Sequence, residues 1–227
     1  MWRNAALLLV SCATSAGALA QGTPVQRICP IDGKSFTYVA STVPPARETN
    51  LDMKPADSIS PWPHPKCPEN GFVIYKSNLS NAEVAKLRNF ALSDAYRALA
   101  ESHSTRYLEA ALRKHLGESP YAVAWSLVQA TWEVAAEPAR YKQYAQEALA
   151  TYESIKLEAL PEAKHRILKE MVSGELERRL GLFDHAKDRF IGMRDRAEFA
   201  TKPMQRIIEL QLKLIRSKDS GSHRIPG

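Results

Sequence analysis

From residue 79 onward, apolar residues recur at spacings of three and four, the period of helices that bury one face. The pattern is clearest where Leu168, Val172, Leu176 and Leu180 repeat at i, i+4, flanked by Ile167 and Met171. Helical stretches are predicted over 81–102 (interrupted near Ser93), 105–116, 121–136, 139–157, 162–180, 184–199 and 202–216. The breaks fall at Gly117, Pro120, Pro138, Pro161, Gly181 and Pro203, each a helix stop or a proline at a first helical position. Ser80 with Glu83 three residues on forms a capping box that opens the first helix. Short connections predict antiparallel packing of neighbours. The expected fold class is therefore mainly α, built of antiparallel helical hairpins.

The preceding stretch, 28–76, has no helical period and is rich in Pro and turn residues. It holds two similar fragments, Cys29-Pro30-Ile31-Asp32-Gly33 and Cys67-Pro68-Glu69-Asn70-Gly71, each leading into a strand-like run at 36–39 and 72–75. A glycine at the fifth position supplies the left-handed conformation that closes a tight loop. The segment Pro61-Trp62-Pro63-His64-Pro65 is neither a helix nor a central strand. The expected organisation is a signal peptide over 1–20, a polar leader over 21–28, a small β/loop knuckle module over 29–78, a helical domain over 79–217, and a disordered tail over 218–227.

The first twenty residues carry one charge, Arg3, and a run free of charge from Ala5 to Ala20. Ala18 and Ala20 put small residues at −3 and −1 before Gln21, the pattern of a secretory peptide cleaved near Ala20. A second reading takes Leu9-Val10-Ser11-Cys12 as a lipobox and Cys12 as a lipid anchor. No later segment is apolar and long enough to span a bilayer, so a periplasmic or secreted protein is expected. The formal charge of +6 is spread along the helices among Glu and Asp. No run of Lys or Arg reaches the length of a nucleic-acid arm, and no nucleic-acid partner is expected.

Gly174, Gly181, Phe183, Ala186 and Phe190 have the spacing of the tetratricopeptide consensus, which this stretch resembles. The resemblance implies that the first glycine lets the two helices of a hairpin approach, the second makes the turn, and Ala and Phe pack the second helix onto the first. Ala148 and Tyr152 look like the equivalents one hairpin earlier. From Cys29 to about Phe199 the chain also resembles a bacterial family that joins a CPxCG…CPxCG zinc-ribbon-like front to helical repeats. The matching residues are the two C-P-x-x-G fragments, Trp125, and Gly174 to Gly181. That family carries no assigned activity, and here Asp32 and Asn70 stand where its second cysteines would be.

Of three cysteines, Cys29 and Cys67 survive export. Three states stand open for them. One is a disulfide, which the resemblance favours because zinc knuckles bring their first ligands together. It would close a loop of about 39 residues and stabilise by roughly 4 kcal/mol. The second is a mixed zinc site of Cys29, Asp32, His64 and Cys67. The third is a pair of free or redox-active thiols.

Other chemistry is sparse. Gly33-Lys34-Ser35 lacks the upstream glycine of a phosphate loop, because residue 28 is Ile. There is no G-x-S-x-G and no H-E-x-x-H. Glu175 beside Arg178 and Arg179 reads as an ion pair supporting its helix. Trp125 and Trp132 read as core, while Tyr121, Tyr141 and Tyr144 are candidate linings of a concave groove. The expected function is a non-catalytic protein–protein interaction scaffold with no cofactor, binding an envelope protein or peptide along the first helices of successive hairpins. The alternative is a thiol or metal protein working through Cys29 and Cys67.

Overall fold

The fold was obtained as a computed structural model, which describes residues 22–41, 47–56 and 60–227. The signal-peptide reading, with Cys12 and Ala20, lies outside the described residues.

Eight α-helices make the body: α1 (Asn81–Ala91), α2 (Asp94–Ser102), α3 (Thr105–Leu116), α4 (Pro120–Glu133), α5 (Pro138–Glu153), α6 (Ala163–Arg179), α7 (Phe183–Arg194) and α8 (Lys202–Arg216). The local signals act as the sequence indicates. Ser80 accepts from the Glu83 amide, and the Glu83 carboxylate accepts from the Ser80 amide. The interruption near Ser93 is a full break: the Ser93 hydroxyl accepts from the Tyr96 amide and donates to Phe90 O, ending α1 and starting α2. Three helices stop earlier than their period suggests, α4 at Glu133 among them. α5 ends at Glu153 and α7 at Arg194, each followed by a 3-10 turn, Leu157–Ala159 and Ala197–Phe199. The second turn places Phe199 in the core.

From α3 to α8, successive helices pack on one another. The hairpin of α6 and α7 closes at Gly174, where an added Cβ would lie 2.7 Å from two ring carbons of Phe190. Ala186 and Phe190 are fully buried, as are Ala148 and Tyr152 one hairpin earlier. Gly181 ends α6 in the left-handed region. α6 is more deeply placed than its apolar face predicts, because every residue from Lys169 to Arg178 is buried.

The front segment is not a free leader followed by a module. Residues 22–28 were expected as polar leader but form β1 (Gly22–Ile28), antiparallel to β2 (Ser35–Ser41). The two C-P-x-x-G fragments fold alike. Cys29 N donates to Lys34 O and Gly33 N to Cys29 O, while Cys67 N donates to Phe72 O and Gly71 N to Cys67 O. Gly33 and Gly71 both have φ near +70° (75° and 72°), the conformation that only glycine adopts without strain. The second strand-like run supplies a single bridge, Val73 to Lys66. Cys29, Ile31, Cys67, Phe72 and Val73 bury against Leu87, Tyr96, Ala100, Leu108 and Leu112, so the knuckles share a core with α1 to α3.

The expected disordered tail is also corrected. Residues 218–227 fold back along the segment 48–56. Leu51 N donates to His223 O, and Ile225 N to Thr49 O, each at 2.8 Å. Leu51 is buried with Met171, Phe190 and Ile208, and Ile225 packs at the edge of that cluster. A polar sequence without period stays ordered here because its backbone groups find partners.

Candidate functional site

α4, α6 and α8 together wall an apolar groove of about 720 Å³. α4 contributes Tyr121 and Trp125, one turn apart. α6 contributes Ile167, Leu168 and Met171 from one face. α8 adds Met204 and Ile207. The two irregular segments close it, Met53 from the 48–56 loop and Ile225 from the tail. Three of the lining side chains are methionines, which adapt to irregular apolar shapes. Lys164 and His165 are the polar residues at its rim, and both lie against the Glu162 carboxylate, at 2.7 and 3.5 Å.

The aromatic wall is stiff. Trp125 meets Trp132 edge to face at 5.6 Å, and Tyr121 meets Tyr152 likewise at 5.9 Å, arrangements that add to area burial. The His165 ring lies 4.6 Å from that of Tyr121. The Tyr121 phenol oxygen is buried and has no hydrogen-bond partner among the described residues. Burial, and secondarily the Glu162 charge, raise its pKa.

The other two groove candidates are corrected. Tyr141 and Tyr144 sit on α5 and are buried. Tyr144 stacks on Tyr107 at 4.5 Å, and its hydroxyl meets His103 Nδ1 at 2.9 Å. Tyr141 lies under the Arg179 guanidinium, 4.7 Å from the ring centroid. Both rings pack between neighbouring helices, so only Tyr121 reaches the groove. Trp132 is core, as expected, and Trp125 is half-buried at the groove wall.

The sulfur sites resolve as a disulfide between Cys29 and Cys67 with Cα atoms 5.7 Å apart, both residues 1% exposed. The candidate zinc ligands are not assembled around a common point. Asp32 Oδ2 accepts from Asn70 Nδ2 at 2.8 Å, and Asp32 Oδ1 accepts from the Lys34 amide. His64 is turned away to Glu109, with Nε2 2.7 Å from its carboxylate. Among the described residues, no group of three or more His, Cys, Asp or Glu side chains is arranged to hold a metal ion.

Two ionic clusters are buried, the first of them not indicated by the sequence and the second indicated only as a helix-supporting ion pair. At the front, Glu109 is 3% exposed and receives His64, Arg106 and Arg113. Burial alone would raise its pKa. The His64 hydrogen bond and the charges of His64, Arg106 and Arg113 outweigh burial and hold it at about 2. His64 N also donates to Thr105 Oγ1 at the start of α3. At the back, Arg178 is fully buried. Its guanidinium grips Glu175 bidentately at 2.8 and 2.9 Å and donates to Gln211 Oε1 on α8. It also reaches the carbonyls of Asp219 and Gly221 in the tail. Gln211 closes the ring by donating to Glu175 at 2.8 Å. The expected ion pair of Glu175 is thus present with Arg178, inside the core. Arg179 points elsewhere, to Asp52 at 3.9 Å. The periodic apolar face of α6 gave no sign that its charged residues are buried too.

Among the described residues, no helix is long and apolar enough to cross a membrane. Comparison with protein-family models, with curated proteins and with solved structures finds no match for this chain.

Proposed function

We propose that this chain is an exported, non-catalytic interaction scaffold of the cell envelope, and that the groove of α4, α6 and α8 receives an apolar segment of a partner protein. The observation that carries the reading is the groove's lining. Trp125, Ile167, Leu168, Met171, Met204 and Ile207 converge on one concavity of about 720 Å³, with polar groups confined to the rim. Apolar concavities with a few polar edge groups are the usual form of a binding site, and aromatic side chains dominate the energetics of such surfaces. Tetratricopeptide-like hairpins, as the Gly174 to Phe190 spacing suggests, bind along their first helices, and α4 and α6, which precede α5 and α7 in their packed pairs, line this groove together with α8. The Cys29–Cys67 bond belongs to this reading as a structural tie suited to an oxidising compartment. With both sulfurs buried, it favours that role over thiol chemistry. The proposal needs no cofactor.

The test compares tagged wild-type protein with Met204→Glu and with Glu209→Lys, a substitution on the exposed side of α8. Each is used to capture protein from an envelope fraction. A discrete partner retained by wild type and by Glu209→Lys, and lost from a folded Met204→Glu, is the expected result. Equal capture by all three would remove the groove from the account.

A further inference from the structure

The apolar face of α8 is sunk in the core through Ile207, Ile208, Leu214 and Ile215, so the helix cannot roll and its outer face is fixed. Lys202, Arg206, Glu209, Lys213 and Arg216 occupy that face. Their spacings of three and four residues keep them within one narrow arc about 20 Å long, and all five are exposed. Arg206 donates to Gly227 O. Lys202, Lys213 and Arg216 have no carboxylate within ion-pair distance among the described residues.

Other exposed cations, among them Lys86, Arg88 and Lys142, lie on other helices, and several arginines are engaged. Arg189 is held by Glu153, Glu170 and Glu177, and Arg196 by Glu170 and Glu198. A row of four cations on a rigid helix, with Glu209 its one acidic member and Lys202, Lys213 and Arg216 outside ion-pair distance of a carboxylate among the described residues, is complementary to an extended anionic surface.

We propose that the outer face of α8 docks the protein on an anionic membrane surface by electrostatic attraction alone. A lipid surface is favoured over an acidic protein because the row has no aromatic, Met or Leu anchor to fill a partner's pocket. It is favoured over nucleic acid because no stacking side chain lies in the row. Each cation near an anionic surface is worth about fivefold in partitioning, so three act together for about a hundredfold. This docking is independent of the groove: Met204 and Ile207 face the concavity while the cations face outward.

The experiment measures co-sedimentation of the purified protein with phosphatidylcholine vesicles, with and without phosphatidylglycerol, at low and high salt. Binding that requires phosphatidylglycerol and disappears at 0.5 M salt is expected from the screening of exposed charges. The variant Lys202→Gln/Lys213→Gln/Arg216→Gln should lose about a hundredfold. A control removing three cations elsewhere, Lys86→Gln/Arg88→Gln/Lys142→Gln, should lose little. Failure to bind phosphatidylglycerol vesicles overturns the proposal. So does an equal loss in the control, which would assign binding to net charge. Tighter binding to duplex DNA or polyglutamate than to vesicles would overturn it in favour of those partners.

Discussion

The two ends of the helical body face the same problem, the attachment of an irregular segment, and solve it with different forces. At the front, the knuckles are closed covalently by Cys29–Cys67, share an apolar core with α1 to α3, and are clamped by His64 on Glu109. At the back, the tail has no covalent tie. It is held by backbone bonds to the 48–56 segment and by one fully buried arginine that joins α6, α8 and two tail carbonyls. A disulfide acts mainly by limiting the unfolded chain, whereas a buried ion pair acts only in the folded state and punishes removal of either partner. The back end should therefore be the more brittle of the two. Because Met53 and Ile225 wall the groove, that brittleness bears directly on the site.

The largest expected effect is at Arg178. Arg178→Met strands the Glu175 carboxylate in the core and should cost about 3–5 kcal/mol in denaturant unfolding. Adding Glu175→Leu should recover much of that loss, since no buried charge is then left alone. If the single and double variants are equally unstable, the ionic account of the back end fails. Next comes the front tie. Cys29→Ser with Cys67→Ser should cost about 4 kcal/mol by chain entropy. Hydrogen exchange should then rise over residues 22–41 and 60–76 while the 48–56 segment and α6 to α8 stay protected. Exchange rising equally at both ends would erase the contrast.

A third effect is pH-dependent. The folded pKa of Glu109, about 2, lies below its ordinary value of 4.5. Its contribution is thus present above about pH 4.5 and is lost as pH falls toward 2. That difference corresponds to at most about 3 kcal/mol. Glu109→Gln should be less stable than wild type at pH 7 and nearly equal to it at pH 2. A gap that persists at pH 2 would assign the loss to packing. The smallest effect is Gly174→Ala, whose Cβ must displace the Phe190 ring. It should cost about 1–3 kcal/mol, read as a lowered melting temperature. A neutral outcome would show that the α6–α7 hairpin does not depend on that close approach.

Local chemistry makes much of this legible in the sequence. The Ser80–Glu83 box, the proline starts of α4 and α5, the break at Ser93 and the left-handed glycines of both knuckles depend on neighbours within a few residues. What stayed hidden depends on distant partners. β1 reads as polar because none of its residues is buried and it carries Pro24. The tail reads as disordered because its partners, Thr49, Leu51 and Arg178, lie far upstream. Tyr141 and Tyr144 read as groove residues because an aromatic-rich hairpin does not say which ring faces outward. Of the groove itself, Tyr121 was legible, and Met53, Met204 and Ile225 were not. They meet only through the packing of α4, α6 and α8 with the two irregular segments.

The most direct test places a photo-crosslinking amino acid at Trp125, in the groove wall, and separately at Ile191, an exposed apolar position on α7. Both variants are irradiated in the cell, and their adducts are identified by mass. The account predicts one recurrent protein adduct from position 125 and none of comparable yield from position 191. Equal adducts from both positions, or an adduct from position 191 alone, would contradict it.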